Sequence, residues 1–285
     1  MKKWKLAGVQ MDCTLGDTAG NLATMRRHLA TAAGNGANLI VFPECILAGY
    51  GFGSRVEIAA NAEPYPGPSA RAVAEDCARF DVWCVYGFFE IDGAKLYNSC
   101  ALIGPDGPVA CYRKLHLPKV GADRFTDPGD RPLAVHDLGG LKVGLHICFD
   151  AGVPETTRVL ALLGADVGIL PTNWADKAMK TASVMPLARA LENHIYFAAV
   201  DRVGTETGFH YIGRSSIIDF NGDVLDSADH DREAILYADI DPLAARRKLV
   251  VNIPDDYEID RVNWRRPDMY GALSEGPVFK GHRNG

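Results

Sequence analysis

The most constraining feature of the chain is an unbroken apolar run, Leu39-Ile40-Val41-Phe42, closed by Pro43. Apolar residues at every position, rather than at alternate ones, suit a strand covered on both faces. Such a strand must be sandwiched between other layers. Similar runs recur at Leu141 to Ile147, Asp166 to Leu170 and Ile195 to Val200. Between them lie helical patterns. Leu22, Met25, Leu29 and Ala32 share one face until Gly34 and Gly36 end the pattern, and residues 69–80 read as a second helix. A third helix opens at Pro154-Glu155, where proline suits the first turn and glutamate the positive end of the dipole, and ends near Gly164. A fourth covers roughly 178–193, bent or restarted at Pro186.

Hairpins interrupt this alternation. Val82 to Phe89, Tyr97 to Ile103 and Val109 to Lys114 read as strands, the last two joined by Gly104-Pro105-Asp106-Gly107. Leu6 to Gln10 is a first strand. Ile212 to Asp219, the Asn221-Gly222 turn and a strand at 233–240 close the pattern. Crossovers mixed with hairpins predict an α/β layered fold with mixed sheets, not a purely parallel doubly wound one. Residues 1–240 read as one domain. Residues 241–285 lose periodicity and gain Arg and Pro, as expected for an extension packed on the domain or on a partner subunit.

Composition narrows the function. Of 285 residues, 47% are hydrophobic and 23% charged, which excludes a disordered chain. The net charge of -6, with no basic stripe, argues against a nucleic-acid partner. No apolar stretch approaches membrane-span length. After Lys2-Lys3-Trp4-Lys5 the apolar segment is cut short by Gln10 and Asp12, so a signal peptide is not expected. The seven cysteines (13, 45, 77, 84, 100, 111 and 148) form no C-x-x-C pair, so neither a zinc ribbon nor a thioredoxin motif is present. Buried free thiols in a reducing, cytoplasmic setting are the expectation.

Three segments place a reactive group at a strand end, where α/β folds build ligand sites. In Phe42-Pro43-Glu44-Cys45, Glu44 follows the apolar strand directly; in an apolar pocket its pKa would rise and suit it to acid–base work, while at a loop edge it would be solvated. In Tyr112-Arg113-Lys114-Leu115-His116-Leu117-Pro118, Lys114 closes a strand and is either an oxyanion stabiliser or a surface cation. In Gly144-Leu145-His146-Ile147-Cys148-Phe149-Asp150, Cys148 sits where the chain must turn before the next helix, the geometry that projects a nucleophile. His146 is open to two roles, base or core residue. Gly49, Gly51 and Gly53 imitate a nucleotide-binding loop, but the spacing is wrong and no helix follows.

Taken together, Glu44 in Phe-Pro-Glu, Lys114 in Tyr-Arg-Lys-Leu-His-Leu-Pro and Cys148 in His-Ile-Cys-Phe-Asp resemble the Glu-Lys-Cys set of the nitrilase (carbon–nitrogen hydrolase) superfamily. Pro128-Gly129-Asp130, Pro171-Thr172-Asn173-Trp174, Arg189-Ala190-Leu191-Glu192-Asn193 and Gly213-Arg214-Ser215-Ser216 extend the resemblance over roughly residues 4–240. It implies a four-layer αββα sandwich, often paired in a homodimer or higher oligomer, and hydrolysis of a small non-peptide amide without metal or organic cofactor. Carried over by position, Cys148 is the nucleophile, Glu44 the general base and acid, and Lys114 the oxyanion stabiliser. A thiolate beside Lys114 is expected to have a lowered pKa.

Two departures refine this expectation. Where many amidases of the family carry a second Glu, this chain has Asp123, one methylene shorter; its alternative role is an ion pair with a nearby Arg. Where ω-amidase-like members carry an Arg four residues after the Cys, it has Gly152, which favours a neutral amide over a carboxylate-bearing one. Cys148-Phe149-Asp150 differs from the Cys-Trp-Glu of true nitrilases and leans toward amidase. Tyr50, Phe149, Asn173 and Trp174 are the candidate pocket walls, with core packing the alternative for each aromatic. A nitrilase, an amine-accepting acyltransferase and a non-catalytic binding protein on the same fold stand as competing readings.

Overall fold

The structure is a computed structural model and describes residues 3–275. The described residues fall into two compact units, one running to Arg247 and a second beginning at Lys248. In chain order the first unit contains β1 (Trp4–Gln10), α1 (Thr18–Gly34), β2 (Leu39–Val41), α2 (Arg55–Ala59), α3 (Pro68–Phe80), β3 (Trp83–Asp92), β4 (Lys95–Gly104) and β5 (Gly107–Arg113). There follow β6 (Val135–Asp137), β7 (Lys142–Leu145), α4 (Pro154–Leu162), β8 (Val167–Thr172), α5 (Met179–Asn193) and β9 (Tyr196–Asp201). The unit closes with β10 (Val203–Glu206), β11 (Phe209–Ile212), β12 (Ser216–Ile218), β13 (Val224–Ser227), β14 (Ala234–Ile240) and α6 (Pro242–Arg246).

Two six-stranded sheets carry the fold, with strand orders β14-β1-β2-β3-β4-β5 and β13-β12-β9-β8-β7-β6. Both are mixed, as expected. β1, β2 and β3 run parallel, and so do β7, β8 and β9; each parallel set is extended by antiparallel neighbours.

Side-chain alternation divides each strand between two cores. Leu6, Leu39, Val41, Val85 and Leu102 of the first sheet meet Val143, Leu145, Val167, Ile169 and Val200 of the second in a sheet-on-sheet core. The intervening residues Val9, Ile40, Cys84 and Phe88 face Met25 and Leu29 of α1 and Val73 and Cys77 of α3. On the other side Leu170, Phe197, Ala199 and Ile218 pack against Ala182 and Ala190 of α5. Gly144 of β7 lies so close to Leu160 of α4 that a Cβ there would stand 3.0 Å from it. The layers are therefore helix, sheet, sheet, helix, the αββα sandwich expected.

Three local expectations change. Helix α5 does not restart at Pro186 but continues through it, and packing of Ala182 and Ala190 sustains the helix where one backbone donor is missing. The strand expected from Ile212 to Asp219 is broken, because Gly213 and Arg214 both take positive φ (64° and 63°) and turn the chain from β11 into β12. The first unit extends beyond 240: α6 buries Ala245 in the sheet-on-sheet core, and Arg246 pairs with the buried Asp166 at 2.6 Å. The second unit holds a hairpin of β15 (Val250–Ile253) and β16 (Tyr257–Ile259), followed by a turn in which Asp260 accepts from the backbone of Val262 and Asn263. Residues 276–285 of the expected extension lie outside the described residues.

Candidate active site

Glu44 leaves the end of β2 in a loop whose backbone is pinned to β3: Phe42 N–H donates to Val85 O at 2.8 Å, and Gly87 N–H to Pro43 O at 3.1 Å. Lys114 follows β5, and its backbone N–H donates to Asn98 O of β4 at 2.8 Å. These ties bring the two side chains together inside the protein. Glu44 is fully buried and Lys114 nearly so. Lys114 Nζ donates to Glu44 Oε1 at 2.7 Å and to Asp123 Oδ2 at 2.5 Å. Asp123 comes from a short turn, Gly121–Arg124, and its ion partner is thus Lys114 rather than an arginine.

Asn98, which the sequence reading did not single out, organises this group. Its Nδ2 donates to Glu44 Oε1 at 2.7 Å and to Asp123 Oδ1 at 2.8 Å, and its Oδ1 accepts the Cys45 thiol at 3.4 Å. A lone amide inside the apolar strand 97–103 is the signal that could have found it. Tyr50, expected as a pocket wall, donates its hydroxyl to Asp123 Oδ2 at 3.0 Å. Glu44 Oε2 is buried without a hydrogen-bond partner.

Cys148 is the first residue of a 3-10 turn, Cys148–Gly152, separated from the end of β7 by His146 and Ile147. Its φ of 46° lies in the left-handed region, which a side chain adopts only where the surroundings enforce it. Asp150 does the enforcing. Its Oδ2 accepts from Ile147 N–H at 3.0 Å and from Tyr112 Oη–H at 2.7 Å. Its Oδ1 accepts from His116 N–H at 3.0 Å and from His116 Nδ1 at 2.8 Å. The carboxylate only accepts, so Nδ1 carries the proton. Asp150, Tyr112 and His116 therefore hold the turn. Phe149 leaves it with its side chain 47% exposed. His146 is a core residue: it is fully buried, packed edge-on against Phe197, with Nδ1 on Ile169 O at 2.9 Å and Nε2 on Thr157 at 3.2 Å.

After β8, Trp174 is 3% exposed and packs in the core with Leu170, Phe197 and Ile212. The Asn173 side chain is also buried, and neither amide atom has a partner.

Burial pushes the Glu44 carboxyl upward, as expected for a carboxylate in an apolar pocket, and the charge on Asp123 adds to it against the pull of Lys114. Burial alone would lower Lys114, but Asp123 and Glu44 outweigh it and hold the ammonium charged. The expected low-pKa thiol is corrected. Burial raises Cys148 above an ordinary thiol and Glu44 raises it further, while Lys114 and the Asn173 backbone N–H offset only part of this. Burial and the negative charge of Glu44 together outweigh the pull of Lys114 at the thiol.

Among the described residues no cluster of three or more His, Cys, Asp or Glu could hold a metal ion, and no helix is long and apolar enough to cross a membrane. All seven cysteines are free.

Two mixed sheets packed face to face between helices give the chain the αββα sandwich architecture. The chain belongs to the carbon-nitrogen hydrolase family, whose model matches residues 5–248, and it is a carbon–nitrogen hydrolase. It is 38% identical to a nitrilase of Pyrococcus abyssi over 89% of this chain and 96% of that one. It is 36% identical to an (R)-stereoselective amidase of a Pseudomonas species over 96% and 95%, and 33% identical to an omega-amidase of Danio rerio over 85% and 89%. A solved amidase from Nesterenkonia AN1 has the same fold, with a TM-score of 0.78 at 22% identity over 95% of this chain and 97% of that one.

Proposed function

We propose that the protein hydrolyses a small neutral amide, or an N-carbamoyl compound, to a carboxylic acid and ammonia or amine through a thioester on Cys148. The observation that carries the reading is the buried convergence of Glu44 and Lys114 from two strand ends of the first sheet on Cys148 at a strand end of the second, close enough for both charges to act on its thiol. The (R)-stereoselective amidase and omega-amidase relatives support an amide substrate. Gly152 in place of the expected arginine supports a neutral one.

The resting thiol is protonated, so attack and deprotonation belong to one step. Cys148 Sγ forms a bond to the carbonyl carbon as its proton passes to Glu44, whose Oε2 has no other partner. The tetrahedral oxygen takes the third N–H of Lys114, two being committed to Glu44 and Asp123, and the backbone N–H of Phe149. Glu44 returns the proton to nitrogen, the C–N bond breaks and the thioester remains. Water then gives a proton to Glu44 and attacks the carbonyl; the C–S bond breaks, Glu44 passes that proton to the departing sulfur, and the acid leaves with both groups as they began. Asp123 keeps Lys114 charged and aimed. Tyr50, Phe149, Asn173 and Trp174 wall the substrate, and two copies form a homodimer or larger assembly in the cytoplasm.

The test is ammonia release across a panel of aliphatic amides, N-carbamoyl compounds and nitriles. Cys148→Ala is expected to remove turnover while the thermal midpoint stays near that of the wild type. Undiminished ammonia release by that variant would overturn the assignment. The nitrilase relative sustains a second reading, and faster turnover of nitriles than of amides would select it.

A further inference from the structure

The glycines of Gly49-Tyr50-Gly51, too irregular in spacing for a nucleotide loop, cradle a carboxylate that belongs to the chain itself. Glu206, at the end of β10 and only 6% exposed, accepts through Oε1 from Tyr50 N–H at 2.7 Å and from Gly51 N–H at 2.5 Å. Successive backbone N–H groups aimed at one anion form a nest. A Cβ at Gly49 or Gly51 would strike Glu206 or Thr207, and Gly49 has φ +85°, so both positions need glycine. Glu206 is itself fixed. Its Oε2 takes Arg202 Nη1 at 2.9 Å, and the fully buried Arg202 also reaches Asp12 Oδ1 at 2.8 Å.

The nest holds a residue that touches the candidate site. Tyr50 donates its hydroxyl to Asp123, which shares Lys114 with Glu44. The neighbouring Asp201 extends the same support to the other sheet, accepting from Trp174 N–H at 2.7 Å. The corner between β9 and β10 thus braces the loops on both sides of the site.

We propose that Glu206 is a positioning residue for hydrolysis: seated on Arg202, it locks the Gly49–Gly51 nest so that Tyr50 aims Asp123, and through it Lys114, at the reacting carbonyl. This rests on the reading of Glu44, Lys114 and Cys148 given above. Misaiming Lys114 weakens a contact made chiefly in the transition state, so kcat should fall more than KM rises.

The experiment compares wild type, Glu206→Ala, Glu206→Gln, Tyr50→Phe and the Glu206→Ala/Tyr50→Phe double variant. The readouts are kcat and KM on the aliphatic amide that the wild type turns over fastest, and the pH dependence of Cys148 alkylation by iodoacetamide. Glu206→Ala is expected to lower kcat by about ten- to a hundredfold, the scale of a misplaced catalytic group, with KM changed much less. Alkylation at fixed pH should slow, because a loosened Lys114 offsets less of the thiol's raised pKa. Glu206→Gln keeps an acceptor for the two N–H groups but sets an amide donor against Arg202, so it should lose less of kcat than Glu206→Ala without restoring it fully. In the Tyr50→Phe background, Glu206→Ala should add little.

Full kcat per folded molecule in Glu206→Ala, or losses that simply multiply in the double variant, would overturn the proposal. If Glu206→Ala does not fold, Tyr50→Phe and Glu206→Gln decide: a loss of kcat in both supports the proposal, and full activity in either overturns it. Turnover persisting in Cys148→Ala would instead strike the underlying reading of the site.

Discussion

Glu44 shows how far one residue's chemistry is set by its surroundings. Phe-Pro-Glu alone left Glu44 open, and only its order with Lys114 and Cys148 in the family resemblance singled it out; its raised pKa depends on complete burial beside Asp123. In the proposed mechanism Glu44 works as a carboxylate, so activity is lost as pH falls through its pKa. Because that pKa is raised, the acid limb of kcat/KM should lie above the value of about 4.3 that an unperturbed glutamate would give. A pH–rate profile with its acid limb at or below that value would contradict the role. The thiol teaches the opposite lesson. A lysine near a cysteine suggests a thiolate, yet burial and the charge of Glu44 outweigh that lysine. Asn98 and Asp150 were not legible as site residues, because their importance lies in what they bridge: Asn98 joins two carboxylates, and Asp150 joins Ile147, Tyr112 and His116.

At the scale of elements, the site is built from strand ends and the turns that leave them. The apolar runs predicted the strands, and Cys148 was expected at a turn. Two tight turns were not foreseen in detail. Cys45 and Cys148, beside and at the site, both carry positive φ (48° and 46°). At Cys148 the turn is held through Asp150 by Tyr112 and His116 from elsewhere in the chain, so no local pattern announces its backbone conformation. Gly87 of β3 is the matching constraint under Glu44, since a Cβ there would run into the backbone of Glu44 and Cys45. Backbone cannot swing aside as a side-chain tip can. Gly87→Ala should therefore displace the Glu44 loop, lowering kcat by tenfold or more, since small misplacements of catalytic groups have effects on the order of a hundredfold. Near-normal turnover in this variant, measured on the best amide, would show that the loop tolerates the shift. Pro186 reads in reverse: a bend or restart on local grounds, it is carried inside a continuous α5 whose Ala182 and Ala190 pack on the second sheet.

Across the molecule, the sheet-on-sheet core is what brings one half of the site to the other. Leu102 of β4 is fully buried in it. Leu102→Ala should cost about 2–5 kcal/mol of stability, the range for a leucine deleted from a well-packed core. Denaturant midpoints would measure this, and turnover per folded molecule should remain near wild type at low temperature. A loss below about 1 kcal/mol would mean that the gap between the sheets can collapse. What the sequence by itself determined are the properties carried by contiguous residues: apolar runs that must be covered on both faces, turns, and the motifs that place a Glu, a Lys and a Cys at strand ends. The tertiary structure decided which of these groups meet and in what electrical state. Glu44 and Lys114 are 70 residues apart in the chain and 2.7 Å apart in space, and Glu206 reaches a loop 156 residues earlier. Strand order, burial and the competition of charges for shared partners set those outcomes, and each is a property of several segments at once.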